Sequence, residues 1–583
     1  ELARSALDSG TLVQVEDVWR LRGDPTGSPR LREVVESRLD TVAPEARRAL
    51  ELLALCDIID LDELELLVGL EALADLEEKG LLRTLIRLGR HCATLSHPLH
   101  GEAIRMALPV LRSRLLMRNH IAWIEQHAPT NTADTLQRAI WRLDAGLPAD
   151  LDSLLRGAEL AAAMQDSRSV LRLAEPLFEQ RPTAAIGALV GNALFQIGQW
   201  DEGFAALDRA AELPASPHTR VDMGVTRATI LLWGAGDAEA ALQTIDRLRA
   251  DPEMSPDDVV RLNTQYASIL VNAGLPGVAR AELEAATTSD QIHTKLGAAV
   301  AYTNALAMAG QTEQAIEAID QAIATRPTKA LTGVADVDVY VVAKSFAFTE
   351  AGRLAEANAM SEDGYERAVT CSRPLTQFWF SLSLGRNHLL TGDIATSLRM
   401  FTSARALGFD IGLRGPVRSA LTGCAIAHAL LGNVEAAEAA LVEREELPPF
   451  AFMAPERALG DGWVAAVKGD LLEARRVLEV TAVEAVATGH ISDALWLLHD
   501  VARLGAPEAV LDRMVALAAT TDSAFATARA AHVMAMVAND LDGLVTSADR
   551  FEAIGAHLLA AEACVAAAEI ARVAGHPRGV ASL

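Results

Sequence analysis

Apolar residues in this chain fall three or four apart through long Ala- and Leu-rich stretches, and short polar breaks centred on glycine interrupt them. That spacing puts the apolar side chains on one face of a helix, as in WDEGFAALDRAAEL after Gly198 and TEQAIEAIDQAI after Gly310. The breaks recur at Gly198, Gly236, Gly274, Gly310, Gly352, Gly392, Gly432, Gly469 and Gly505. Successive separations are 38, 38, 36, 42, 40, 40, 37 and 36 residues. Helical patterning flanks every break, so the period predicts stacked helical hairpins. Met164-Gln165-Asp166 supplies the first hairpin turn and Asn539-Asp540 the last.

The expected fold class is all-α: a tetratricopeptide-like solenoid over residues 131–583, about ten hairpins in a right-handed superhelix. Residues 41–130 do not follow the period. Asp40 or Thr41 is placed to cap a helix with Pro44 in its first turn, running through EARRALELLALC. LDELELLVG and LEALADLEEKG predict two more helices, the second closed by Gly80. LLRTLIRL and HCATLS predict two short strands around Gly89-Arg90, followed by the strand-to-helix junction HPLHGEAIRMAL. Three helices and a two-stranded ribbon make a winged-helix layout. Val13–Leu21 predicts another small hairpin within residues 1–40.

Composition narrows the function. Half of the residues are hydrophobic but only 4% are aromatic, so Ala and Leu do the packing. Lys+Arg is 52 against Asp+Glu 78, a net charge of −26, and such a surface repels phosphate backbones. Cys56, Cys92, Cys371, Cys424 and Cys564 are scattered without a CxxC pair, which fits a reducing cytoplasm. No signal peptide and no run of about 18 uncharged apolar residues occurs, so no membrane partner is expected. The chain starts at Glu1 without Met and ends in GHPRGVASL, which reads as a piece of a longer protein.

The order Leu73-x-x-Leu76-x-x-Lys79-Gly80-Leu81-Leu82, wing, Leu95-Ser96-His97-Pro98-Leu99, then a helix with Arg105-x-x-Leu108, resembles the winged helix of STAND signal-transduction ATPases. More closely, it resembles the large ATP-binding regulators of the LuxR family, relatives of the maltose regulator. Residues 1–23 are similar to the segment that follows the ATPase core in that family, and residues 551–575 to the segment before its DNA-binding domain. The resemblance implies a regulatory and sensor part that couples an inducer or partner on the repeats to nucleotide-controlled DNA binding. ATP and ADP would be cofactors of the complete protein, with none bound by this chain alone. DNA would be contacted only through a C-terminal domain outside the chain, with RNA polymerase as a further partner and an oligomer as the activated form.

The P-loop itself is missing, since none of Lys79, Lys295, Lys329, Lys344 and Lys468 follows a glycine. No catalytic residue is expected. His97 is the candidate cofactor-binding residue: in STAND proteins a histidine at this junction senses the nucleotide diphosphate, although Met-His-Asp is the usual form and Ser96-His97-Pro98 stands here. A zinc site at His91, Cys92, His97 and His100 is disfavoured, because adjacent strand residues point to opposite faces and the spacing matches no zinc pattern. On the repeats, TQFWFSLSLGRNHLLTGD concentrates aromatics, and Trp379 and Arg386 lie seven apart on one helical face. Tyr302 and Tyr340 occupy corresponding helices. These four are the candidate ligand-binding residues, against ordinary core packing. The alternative function is a tetratricopeptide-type protein-interaction scaffold without nucleotide control. The isolated chain is expected to show no ATP turnover above background and no shift of duplex DNA at physiological salt; either signal would overturn the expectation.

Overall fold

Alternating Val and Leu positions near the start pair as an antiparallel ribbon, β1 (Leu12–Val15) with β2 (Val18–Leu21). The structure, a computed structural model, describes residues 7, 10, 12–15, 18–21 and 42–573 apart from 88, 128–131, 149, 327–336 and 372. The described residues fall into two compact units, one within Glu1–Ala161 and Ser169–Arg181, the other within Ala162–Arg168 and Pro182–Leu583.

In the first unit, helix α1 (Pro44–Cys56) has Pro44 at its first position, where a fixed φ suits the helix and no amide is wasted. Its cap is Ala43, which offers no side-chain bond; Asp40 and Thr41 lie outside the described residues. Strand β3 (Ile58–Asp60) follows, then α2 (Leu61–Val68), α3 (Leu70–Glu78), β4 (Leu82–Arg87), β5 (Arg90–Leu95) and α4 (Pro98–Ala107). The expected two-stranded wing is a three-stranded antiparallel sheet in the order β3-β5-β4. The extra strand escapes the sequence pattern because only Ile58, Ile59 and Asp60 pair, opposite Thr94, Ala93 and Cys92. Asp60 earns its place three ways. It pairs with β5, its side chain accepts the Asp62 amide at the start of α2 at 3.1 Å, and it holds Arg90 at 2.8 Å. The core of α1 and the wing runs past residue 130 to Trp141 and Ala145.

From Leu151 onward the chain is a series of helical hairpins, the first Leu151–Ala163 with Ser167–Gln180 and the last Ala524–Ala538 with Leu541–Ile554, followed by His557–Val573. This is a tetratricopeptide-like all-α architecture. Every glycine break of the sequence period has positive φ, from 68° at Gly236 to 91° at Gly392, and Gln165 and Asn539 take the same left-handed role at 56° and 49°. Small residues let the helices close up. Phe401 sits against both Gly385 and Gly423, where a Cβ would stand 2.7 Å and 2.4 Å from its ring.

The second unit also packs on itself over long range. A Cβ on Gly198 would lie 2.6 Å from the Ile411 carbonyl oxygen, and one on Gly236 the same distance from that of Pro449. Gly274 meets Ala451, Gly310 meets Thr521, Gly352 meets Phe525 and Gly392 meets Leu558 in the same manner. Gly432 and Gly469 meet nothing within 4 Å. So the earlier hinges are contact points with hairpins far along the chain, and these two are only turns. Polar staples reinforce the contacts. The Asp522 carboxylate accepts the Thr312 amide at 2.6 Å and its hydroxyl at 2.7 Å, capping a helix 210 residues away. Ser492 and Ser523 donate to the carbonyls of Ala307 and Glu350 at 2.8 and 2.6 Å.

Among the described residues no helix is long and apolar enough to cross a membrane. The two kinds of hinge predict different sensitivities. Gly432→Ala is expected to cost about 1–2 kcal/mol from left-handed strain alone. Gly198→Ala adds the clash with Ile411 and is expected to cost roughly twice as much. Chemical-denaturation midpoints of the two variants, with amide exchange over residues 405–425, check the order.

Candidate ligand cavity

The second unit holds a partly open cavity of about 440 Å³. Its walls come from the Pro374–Thr391, Arg414–Leu430 and Leu471–Thr488 helices, and its roof is the segment from Pro449 to Arg457. That segment, PFAFMAPER, belongs to a long inter-hairpin connection that folds inward as a strap. Leu447, Phe452 and Met453 are buried, and Phe452 and Met453 join the core of the hairpins around Ala267–Ala357. Met453 takes φ 56° to start the short helix Ala454–Glu456. Aromatic contacts hold the strap down: Phe450 lies 5.7 Å from Trp233, and Phe452 lies 6.1 Å from Phe346.

Arg386 lines the cavity and is 5% exposed. Its Nη2 lies 2.6 Å from Glu350 and 2.6 Å from Glu456, and its Nε donates to Glu456 at 2.7 Å. Burial opposes its charge, but the two glutamates more than compensate and hold its pKa above the ordinary arginine value. Trp496 shares the cavity wall. Two guanidiniums approach its ring, Arg386 at 5.2 Å and Arg529 at 5.2 Å; Arg529 also lies 4.0 Å over Phe525. Burial pulls Arg529 down to about 10. Burial pushes Glu456 up while Arg386 pulls it back, and burial with Glu456 and Glu350 nearby pushes Asp493 well up.

The sequence-derived candidates separate in space. Arg386 is the one that lines the cavity. Tyr340 is fully buried in the core beside Leu296, whose carbonyl accepts its hydroxyl at 2.9 Å. Tyr302 is 5% exposed, inside the core that the strap completes, and its oxygen accepts from Gln314 at 3.4 Å. Trp379 is half-buried and stands edge-on to Phe378, Trp233 and Phe452, so it props the strap from outside the cavity. Residues seven apart on one helix face are separated by about 10 Å along the axis, which is why Trp379 and Arg386 reach different neighbours. His97, in the first unit, is exposed between β5 and α4; its carbonyl accepts the His100 amide at 3.0 Å, and the two rings lie 5.8 Å apart. His91 is exposed whereas Cys92 is buried.

Glu350, Glu456, Asp493, Trp496 and Arg529 were not singled out from the sequence. A signal existed for some of them. Glu350 in SFAFTEAG and Arg529 in ATARAAH are isolated charges within otherwise uncharged helix faces. Beside the cavity, His499 and His532 contact each other at 3.0 Å, both buried and both near Phe551.

No family model matches the chain, and no curated protein matches it. Solved structures do. The "APC/C hetero-tetramer Cut9-Hcn1" aligns at 14% identity over 80% of this chain and 91% of that one, with a TM-score of 0.42. A STAND protein with a tetratricopeptide repeat sensor from Pyrococcus horikoshii aligns at 12% identity over 83% of this chain and 66% of that one, at 0.32. "Rap Protein Complexed with Competence and Sporulation Factor" aligns at 12% identity over 61% and 98%, at 0.41. At such values the architecture rests on the hairpin geometry described above.

The buried histidines set a pH dependence. Burial pulls His490 and His532 down to about 4 and His499 well below its ordinary value. Unfolded, His490 and His532 take up protons below about pH 6.5, and folded they do not until about pH 4, so stability falls as pH drops through that window. At pH 5 each of His490 and His532 is expected to cost roughly 2 kcal/mol. Asp493 and Glu456, with raised values, act in the opposite sense. The measurement is therefore the difference between the native chain and His490→Asn: the melting midpoint of the variant should fall less between pH 7.5 and 5.

Proposed function

We propose that the chain is the sensor and regulatory part of a LuxR-type, ATP-binding transcriptional regulator. In this reading a small inducer or a regulatory protein engages the repeats and biases nucleotide-controlled activation of DNA binding. One observation carries it: the repeats hold a partly open cavity with mostly apolar walls and a buried arginine, roofed by a strap of the chain itself. Small-molecule sites combine apolar lining with polar anchors in this way, and about 440 Å³ is within their usual range of roughly 300–1,000 Å³. The ligand would have to bind the resting and active states differently to shift them.

The winged helix supplies the second element. His97 is exposed directly before Pro98, and the resemblance gives a histidine at this junction the contact to the nucleotide diphosphate. An ATPase core preceding the chain would present ADP to it in the resting state. DNA, and RNA polymerase, would be engaged through a helix-turn-helix following the chain, in keeping with the −26 charge of the part in hand. Activation would proceed through an oligomer.

The scaffold reading retains one supporting observation. The strap lies against inner turns much as a bound peptide would, with the Pro449 carbonyl against Gly236 and that of Ala451 against Gly274.

The test is made in the complete protein. His97→Ala is expected to weaken ADP retention about ten- to a hundredfold, from the loss of one charge-assisted hydrogen bond of about 1.5–3 kcal/mol, and to raise basal transcription. Calorimetry of ADP binding and a reporter assay check both. Unchanged ADP affinity would remove nucleotide control from the winged helix and leave the scaffold reading.

A further inference from the structure

One helix of the second unit leaves an apolar face uncovered. The Leu471–Thr488 helix exposes Leu471, Leu472, Val480, Val483 and Val486. Among the described residues, the second helices of the other hairpins expose at most one large apolar side chain each, such as Val442 or Val515. Leu472 is 79% exposed, Val483 62% and Val480 48%. With Arg476 they share one face, because positions 472, 476, 480 and 483 follow the three-and-four spacing of a helix. Valine is a poorer helix former than the residues usual on such a surface, and an exposed face returns no packing for it. A contiguous patch of this kind marks an interaction surface. Beside it, an open groove of about 690 Å³ lies against the Val434–Glu445 helix, lined by Leu441, Val442, Val477 and Val480.

The charges on the face say what covers it. Arg476 and Glu484 stand four residues before and after Val480, about 6 Å along the axis to either side. Arg476 pairs with Glu473 of its own helix at 2.6 Å, a contact between two exposed groups that is worth little. Glu484 is exposed and, among the described residues, takes no ion pair. A second copy of the helix, turned antiparallel about Val480, sets each Arg476 opposite the other copy's Glu484 and brings Val477 opposite Val483. Val480 then meets itself on the axis. A parallel copy would instead oppose Arg476 to Arg476. A two-fold contact needs a patch that is its own complement, and this arrangement of charges is one. We propose that this face is a two-fold interface between two copies of the chain, with the Leu471–Thr488 helices antiparallel and the apolar groove beside each helix widening the contact. A helix of this length spans about 27 Å, so the contact is at the small end of specific interfaces and the dimer is micromolar rather than nanomolar. The pairing stands apart from the sensor reading, which requires no particular surface.

The test is sedimentation velocity on the chain, over a dilution series from millimolar to micromolar. Salt is held at roughly 0.15 M, where repulsion between two chains of net charge −26 is screened beyond about 8 Å. A monomer–dimer equilibrium in the micromolar range is expected. Arg476→Glu and Glu484→Arg each bring like charges together twice per dimer and should weaken it about tenfold. The double variant exchanges the pair and should return the constant to within threefold of the native one. Val480→Glu sets two carboxylates against each other on the axis and should abolish the dimer. All three positions are exposed, so the melting midpoints should stay near the native value; Leu472→Glu takes the place of Val480→Glu if that variant does not fold. A chain that stays monomeric throughout the series overturns the proposal. A dimer indifferent to the glutamate on the apolar face lies elsewhere on the molecule and overturns it as well. A dimer weakened by both single reversals but not regained in the double variant overturns the antiparallel pairing about Val480.

Discussion

The second unit depends on how closely its hinges approach hairpins far along the chain. A tight turn between two helices needs one residue in the left-handed region, and glycine takes it without penalty. At Gly198 and Gly236 the same missing side chain does a second thing: it lets a carbonyl oxygen from some 210 residues away come where a Cβ would stand. A solenoid whose repeats touch only their neighbours is held by nearest-neighbour terms. Here contacts such as Asp522 on the start of the Thr312–Thr325 helix tie distant repeats together, so the inner space is closed by the chain's own length.

Closure explains the charges. Arg386, Glu350, Glu456, Asp493 and Arg529 come from helices far apart in sequence and share a buried environment only because the distant repeats meet. Such clusters contribute little net stability, since desolvation offsets most of the attraction, while removing one partner is expensive. Stability alone gives no reason to gather them.

The repeat period, the hinges and the wing hairpin were legible because each is a local property. A glycine at a turn and an apolar residue every third or fourth position are visible without knowing what they touch. Gln165 and Asn539 could be read as turns for the same reason, being residues placed where the helical pattern breaks. Strand β3 was not legible: three residues between two helices carry no periodicity, and its existence is decided by β5. The strap was hidden in a different way. LPPFAFMAPE looks like an ordinary connection, and its aromatics acquire meaning only against Trp233 and Phe346, which lie more than a hundred residues earlier. Tyr340 shows the converse error. An aromatic on an inner helix was a reasonable ligand candidate, yet its hydroxyl is satisfied by the Leu296 carbonyl and its ring has no solvent face.

The residue that the sequence and the structure both point to also joins the cavity to its roof. Glu456 belongs to the strap, and Arg386 belongs to the wall. Their contact at 2.6 Å is therefore a latch as well as an ion pair. Anything that moves Arg386 therefore also bears on the hold of the strap, through one side chain. Phe452 and Met453 carry the strap into the core of the Ala267–Ala357 hairpins. Any change in the strap is thus felt across the long-range contact, because a close-packed core offers discrete arrangements rather than gradual give.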